Sequence, residues 1–295
     1  MLTKDQVTHF KSFGFVILRQ FFSPEEMRLI NDEFEYRSKV ASSYKAFDGS
    51  ERHNIRMMGS DTPFFSALLE DPRFSVAAEQ MFGSVIGHNI DADRYTGNTP
   101  WHYDAGAYEG PGVKFAFYLQ PVRADTGALR VIPGSHKKQW FDEIYNYEGV
   151  GPRWTRAART EEEAGIASKA ISEIPAYVCN SDPGDVVAFD LRLYHASLGG
   201  SDDRHMCSVN YYIDPDTPEQ YEVIIRNVQG HLNTESEPSD PWNPHSVYQD
   251  WMANRGGSDK RQQWIDRMIE ISKMETGVRG FDVQYGDGKM KVVSS

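Results

Sequence analysis

His102 and Asp104 lie one residue apart, and His195 and then Arg204 follow far downstream. Two imidazoles and a carboxylate can hold one face of an octahedral Fe(II) ion and leave three positions open. A guanidinium presents a planar fork that matches a carboxylate. A 2-keto diacid could then chelate the metal at one end and meet Arg204 at the other, with O2 in the last open position. These residue types in this order suggest metal-centred oxidation. Taken singly, each is generic: a lone His-x-Asp is common, His195 could be a hydrogen-bonded core histidine, and Arg204 could be a surface charge after Asp202-Asp203. The joint order favours the metal reading.

The elements that must position these groups are short strands. Successive residues of a strand alternate faces, so His102 and Asp104 on one strand would aim together into an interior, with Tyr103 pointing away. From about residue 85, apolar runs separated by Gly, Pro, Asp and Asn predict strands over Asn89–Tyr95, Val113–Leu119, Leu129–Ile132, Asp185–Phe189 and Met206–Ile213. Asp182-Pro183-Gly184 and Pro133-Gly134-Ser135 are turn signals between them. Many short strands at this spacing point to a mainly β fold with flanking helices, a jelly roll closing over a cavity. His195 is expected just beyond a strand end, with Arg204 on an adjacent antiparallel strand in the same cavity.

Residues 1–84 read as helical and strand support. Thr3 can cap a helix through Phe13, with Gly14 as a left-handed stop. Phe15–Leu18 is strand-like. Ser23-Pro24-Glu25-Glu26 is a capping box with proline in the first turn, and another helix fits Pro72–Phe82. The segment Lys137–Pro175 interrupts the β core of 85–215. It carries Trp140, Phe141, Tyr145, Tyr147, Trp154 and a helix near Glu161–Ala170, and suits either a lid or packing on the sheet. Residues 216–295 read as a helical extension, with helices at Ser246–Asn254 and Asp259–Thr276. Trp251, Trp264, Met268 and Ile271 there could dock on the barrel or support a homodimer. The whole, 1–295, is expected to be one domain.

The net charge is −12, which opposes a nucleic-acid partner. No apolar run reaches the roughly 18 residues of a membrane span. The polar start, Met1 to Lys11, is unlike a leader peptide, so the cytoplasm is expected. The only cysteines, Cys179 and Cys207, read as buried free thiols.

Four pieces carry a resemblance. They are Phe13-Gly14-Phe15-Val16-Ile17-Leu18 with the Ser23 helix, and Trp101-His102-Tyr103-Asp104. Then come Thr126-Gly127-Ala128-Leu129-Arg130-Val131-Ile132-Pro133-Gly134-Ser135-His136-Lys137, and Pro183-Gly184-Asp185 with His195-Ala196-Ser197 and Arg204. Over residues 5 to 215 the chain resembles the phytanoyl-CoA dioxygenase family. The resemblance implies a double-stranded β-helix of the cupin-like type, Fe(II) on His102, Asp104 and His195, and the cosubstrates 2-oxoglutarate and O2. Arg204 and Ser197 would take the far carboxylate of 2-oxoglutarate. Some members carry a tryptophan on the strand after the first ligands; Phe117-Tyr118 stand here, so Thr126 or Gln120 are the replacements considered near the cosubstrate. His136 is left out of the ligand set. Halogenating relatives replace the ligand carboxylate by Ala or Gly, so Asp104 favours hydroxylation, desaturation or ring chemistry. Asn54, Arg56, Arg94, Tyr108 and Trp154 are the substrate-binding candidates, with Arg52 read as solvated. The absence of a Lys/Arg cluster favours a small polar metabolite or natural product over a CoA ester. A jelly-roll lyase or isomerase and a non-catalytic binding protein are the competing readings.

Overall fold

Two antiparallel sheets face each other and form the core of a computed structural model, which describes residues 1–49, 52–150, 161–200, 203–232, 251, 258–274, 281–286 and 289–294. In chain order the strands are β1 (Phe15–Leu18), β2 (His53–Arg56), β3 (Val85–Tyr95), β4 (Thr99–His102), β5 (Gly112–Tyr118) and β6 (Thr126–Val131). They continue with β7 (Tyr177–Cys179), β8 (Val186–Asp190), β9 (His195–Gly199), β10 (Arg204–Ile213), β11 (Phe281–Gly286) and β12 (Lys289–Ser294). The larger sheet has the order β1-β8-β5-β10-β3-β2 and the smaller β4-β9-β6-β7. Consecutive strands β3 and β4, β5 and β6, and β9 and β10 lie in opposite sheets, which is the double-stranded β-helix expected of the sequence. It sets β4 and β9, which carry the histidines, opposite β3, β5 and β10.

Helices α1 (Lys4–Phe13), α2 (Pro24–Tyr44), α3 (Pro63–Leu68) and α4 (Pro72–Phe82) precede the main strands. The predicted capping box at Ser23 forms, and the predicted Thr3 cap proves to be one as well: Thr3 and Ser23 accept from the N3 amides while Gln6 and Glu26 reach back. Each such cap contributes about 1 kcal/mol. Gly14 ends α1 at φ 84°, a conformation that favours glycine. Phe34, Phe65, Phe74 and Ile30 from these helices join Phe115, Phe117 and Ile90 of the larger sheet in one buried core.

Within the interrupting segment, α5 (Lys138–Tyr145) and α6 (Glu161–Glu173) cover the outside of the smaller sheet. Phe141, Ile144 and Ile171 bury against Trp101, Tyr103 and Tyr194, and the Trp101 indole N–H donates to the Ala170 carbonyl at 2.9 Å. These described parts pack; Trp154 lies outside the described residues.

The C-terminal part departs from the helical reading. After α7 (Pro218–Leu232) and α8 (Asp259–Ser272) the chain forms the β11–β12 hairpin. In the sequence Asp287-Gly288, a two-residue turn pair of the Asn-Gly kind, stands between the two strands, and the helical reading of 216–295 passed over that signal. The proposed helix over Ser246–Asn254 lies almost wholly outside the described residues. On α8, Trp264, Ile265, Met268 and Ile271 join the main core, and the Trp264 indole donates to the Val85 carbonyl at 2.9 Å. That apolar face is used within its own chain. Among the described residues no helix is long and apolar enough to cross a membrane. Both cysteines are free and buried, and burial pushes the Cys179 thiol up to about 12.

Candidate metal centre

His102 and His195 are direct cross-strand partners on β4 and β9, with ring centroids 3.9 Å apart. Each Nδ1 faces a main-chain carbonyl, His102 that of Pro100 at 2.8 Å and His195 that of Leu193 at 2.9 Å. A carbonyl only accepts, so both Nδ1 atoms carry the proton and both Nε2 lone pairs are left for a metal. Both Nε2 atoms lie 3.5 Å from Asp104, one from each carboxylate oxygen. The three side chains offer ligand atoms within 4.8 Å of one another. Two neutral imidazoles and a carboxylate with converging lone pairs fit a divalent iron.

The convergence arises differently from the alternation expected along one strand. Strand β4 ends at His102, and the chain then turns so that the Asp104 and Ala105 amides both donate to the Leu191 carbonyl at 2.8 Å. Asp104 is therefore aimed by a main-chain anchor beyond the strand. The Pro-Gly-Ser-His turn has an equivalent task at the other histidine. The Ser135 hydroxyl accepts from the Tyr194 amide at 2.9 Å, and the Ile132 amide donates to the Tyr194 carbonyl. His136 faces the Lys11 carbonyl at 3.3 Å, outside the ligand set, and burial lowers its pKa.

Arg204 begins β10 in the larger sheet, whereas His195 is on the smaller one, so the two are not on neighbouring strands. The guanidinium spans the cleft instead. Nη1 donates to the Gly127 carbonyl at 2.8 Å and lies 3.2 Å from Ser197 Oγ, and Nη2 donates to the Gly97 carbonyl. It stacks 4.2 Å from the centroid of Tyr95, its cross-strand neighbour. Arg204 is 1% exposed, and its Nε has no partner. Among the described residues it has no carboxylate partner. A buried cation in that condition is costly until an anion arrives. A Cβ on Gly127, which sits at φ 90°, would lie 1.8 Å from Arg204 Nη1, so the glycine of the motif makes room for the arginine.

Between the histidines and Ser197 runs an inner cavity of about 40 Å3 lined also by Tyr95, Tyr118, Leu129 and Met206. An outer cavity of about 290 Å3 is lined by Asn54, Arg56, Asn89, Asp91, Leu191 and Asn210 among others. The two share Arg52, Asp104 and Lys114.

Thr126 and Gln120 do not reach the inner cavity. Thr126 is exposed, and its hydroxyl accepts from the Arg123 amide within a turn at 2.8 Å. Gln120 donates to the Asp203 carbonyl at 2.9 Å and accepts from the His205 amide at 3.2 Å; it clamps the backbone on both sides of Arg204. Asn54 and Arg56 line the outer cavity, paired with Asp93 and Asp91. Arg94, one position out of phase on β3, faces away and pairs with Asp203 at 2.7 Å. Tyr108 packs on Phe141 with Lys138 and Arg192 each 5.0 Å from its ring, and lines neither cavity.

Lys114, Asp91, Asn89 and Asn210 escaped the sequence reading. Arg52 is an exposed loop residue, as the sequence reading had it, but its guanidinium also stacks 3.9 Å over Tyr95 and donates to Thr99 Oγ1 at 2.9 Å. Lys114 places its ammonium 2.5 Å from Asp104 Oδ2. Its signal was a lysine at an inward position of β5, in phase with Ala116 and Tyr118.

Solved structures share this architecture. HygX from Streptomyces hygroscopicus, solved with nickel and 2-oxoglutarate, matches with a TM-score of 0.54 at 18% identity, covering 72% of this chain and 88% of that one. EctD from S. alaskensis, solved with 2-oxoglutarate and 5-hydroxyectoine, matches with a TM-score of 0.52 at 18% identity, covering 72% and 76%. In sequence, ectoine dioxygenase of Bordetella bronchiseptica is 24% identical over 220 residues, 66% of this chain and 70% of that protein. These solved structures show the shared fold. The class, a non-haem Fe(II)- and 2-oxoglutarate-dependent dioxygenase, is set by a family match over most of the chain together with the three converging ligands. The model of the phytanoyl-CoA dioxygenase (PhyH) family matches residues 10–206, and the chain belongs to that family.

Proposed function

We propose that this dioxygenase hydroxylates an unactivated carbon of a small polar metabolite. The observation that carries the reading is the polar outer cavity, which opens onto the metal ligands at Asp104. His102, Asp104 and His195 would hold the iron. Arg204 and Ser197 would hold the far carboxylate of 2-oxoglutarate, supplying the anion that the buried guanidinium lacks. When bound, the iron supplies oxidative decarboxylation of 2-oxoglutarate, one oxygen atom of O2 entering succinate and the other the substrate C–H bond.

The chain's own part is to orient and exclude. The Pro100 and Leu193 carbonyls keep both imidazoles in one tautomer. Tyr118, Phe189 and Leu129 line the inner cavity with rings and methyls and limit its water. Asn54 and Arg56 face the substrate side from β2. The ectoine dioxygenase and EctD names, which concern a small polar compound, support a substrate of that size. Thr126, Gln120, Arg94 and Tyr108 have no place in this assignment.

Anaerobic addition of Fe(II) and 2-oxoglutarate should produce a visible metal-to-ligand charge-transfer band. Admitting O2 with a panel of small polar metabolites should then release succinate in a substrate-stimulated way. No band would remove the reading; a band without stimulated turnover would remove the hydroxylase and leave a binding protein.

A further inference from the structure

The outer cavity holds more positive than negative charge once the metal has claimed its ligand. Arg52, Arg56 and Lys114 line it, against Asp91 and Asp104. Both oxygens of Asp91 are in use, one by Arg56 Nη1 and one by the Asn89 amide. Lys114 differs from the arginines. Among the described residues its only carboxylate partner is Asp104, which belongs to the metal triad, and its side chain is 13% exposed. Iron bound at Asp104 draws off that negative charge and leaves a nearly buried ammonium facing the junction of the two cavities. A buried cation calls for a counter-ion.

Two further groups point into the same space. Asn210 is 4% exposed, and its Oδ1 is buried without a partner; the Nε of Arg56 is likewise unpaired. Asn210 pairs with Lys114 on β5 and with Asn89 on β3. Paired positions share a face of the sheet, so Lys114, Asn210 and Asn89 form one polar row across three strands. The row offers an ammonium, and beside it an acceptor with no donor.

Resting on the hydroxylase reading, we infer that the substrate carries an oxyanion of the carboxylate class, gripped by Lys114 at the junction of the cavities, and an N–H or O–H that donates to Asn210. Arg56 Nε lies on the same wall as a second donor to the acid. Such a substrate is oriented by its acid end beside the metal, so the carbon presented for oxidation is near that acid rather than at the far end of a chain.

The test uses the full chain with Fe(II) and 2-oxoglutarate under anaerobic conditions. Small hydroxy and amino carboxylic acids, each beside its own primary amide, are titrated while perturbation of the charge-transfer band is followed. Acids should bind and their amides should bind at least about tenfold more weakly, the scale of one lost charge-assisted contact. Lys114→Met should erase that preference, and Lys114→Arg should restore most of it, while the 2-oxoglutarate affinity of both variants stays within about threefold of the parent. Amides that bind as well as acids, a panel in which no acid perturbs the band, or a Lys114→Met protein that keeps the preference would each overturn the proposal. So would a Lys114→Met protein whose loss is confined to 2-oxoglutarate, because the cation would then serve the cosubstrate. Failure to form the band in the parent protein would instead strike the hydroxylase reading itself.

Discussion

The two ends of the site are built from different materials. At the inner end, Arg204 is held by main-chain carbonyls of Gly127 and Gly97, by the ring of Tyr95, and by the absence of a Cβ at Gly127. At the outer end, side chains hold side chains: Arg56 with Asp91, Asn54 with Asp93, Asn89 with Asp91. Backbone groups cannot be substituted away, so the inner end resists change and suits an invariant diacid. Side-chain pairs can be exchanged one by one, so the outer end is where a substrate preference is written.

That contrast can be broken most severely at the metal. Asp104→Ala should abolish turnover and lower metal affinity by more than about a hundredfold, beyond the effect of losing a supporting hydrogen bond; full activity in the variant would remove Asp104 from the ligand set. Arg204→Met should weaken 2-oxoglutarate binding by at least about thirtyfold, since a buried charge pair loses one member, and anaerobic titration of the charge-transfer band measures it. Gln120→Leu sharpens the contrast. It touches neither cavity but frees the backbone flanking Arg204, so 2-oxoglutarate affinity should drop about fivefold to tenfold, the value of one or two hydrogen bonds, with metal affinity unchanged.

A pH effect comes from outside both ends. His88 is an extra residue where β3 and β10 shift register, buried with its Nδ1 2.7 Å from Asn89 Oδ1. Burial lowers its pKa to about 4, so the folded protein keeps it neutral while the unfolded chain takes up a proton near 6.5. This stability is present above pH 6.5 and is lost as pH falls toward 4. Between pH 7 and 5 the group alone should account for about 2 kcal/mol. Denaturant unfolding should show that slope, reduced in His88→Gln. The smallest effect belongs to Arg94→Ala, which removes a partly exposed pair with Asp203 and should cost under about 1 kcal/mol, with substrate binding unchanged.

Local features were legible in the chain because local physics decides them. Thr3 and Ser23 cap their helices, Gly14 and Gly83 end theirs, and β1, β3, β5, β6, β8 and β10 lie within a few residues of where apolar runs and turn residues predict them. The short strands β2, β7 and β9 were not predicted, and β9 begins at His195 rather than leaving it beyond a strand end. The identities of the metal ligands followed from residue type and order. Tertiary structure decided how they meet. Asp104 reaches the histidines through a turn anchored on Leu191, and Arg204 reaches Ser197 across the cleft from the opposite sheet. Phase separated Arg56 from Arg94: one faces the cavity on β2, the other turns its back on β3, and no motif distinguishes them. Lys114 was hidden for the same reason. A lysine in a strand reads as an exposed edge until the facing sheet closes over it and sets its ammonium beside a metal ligand.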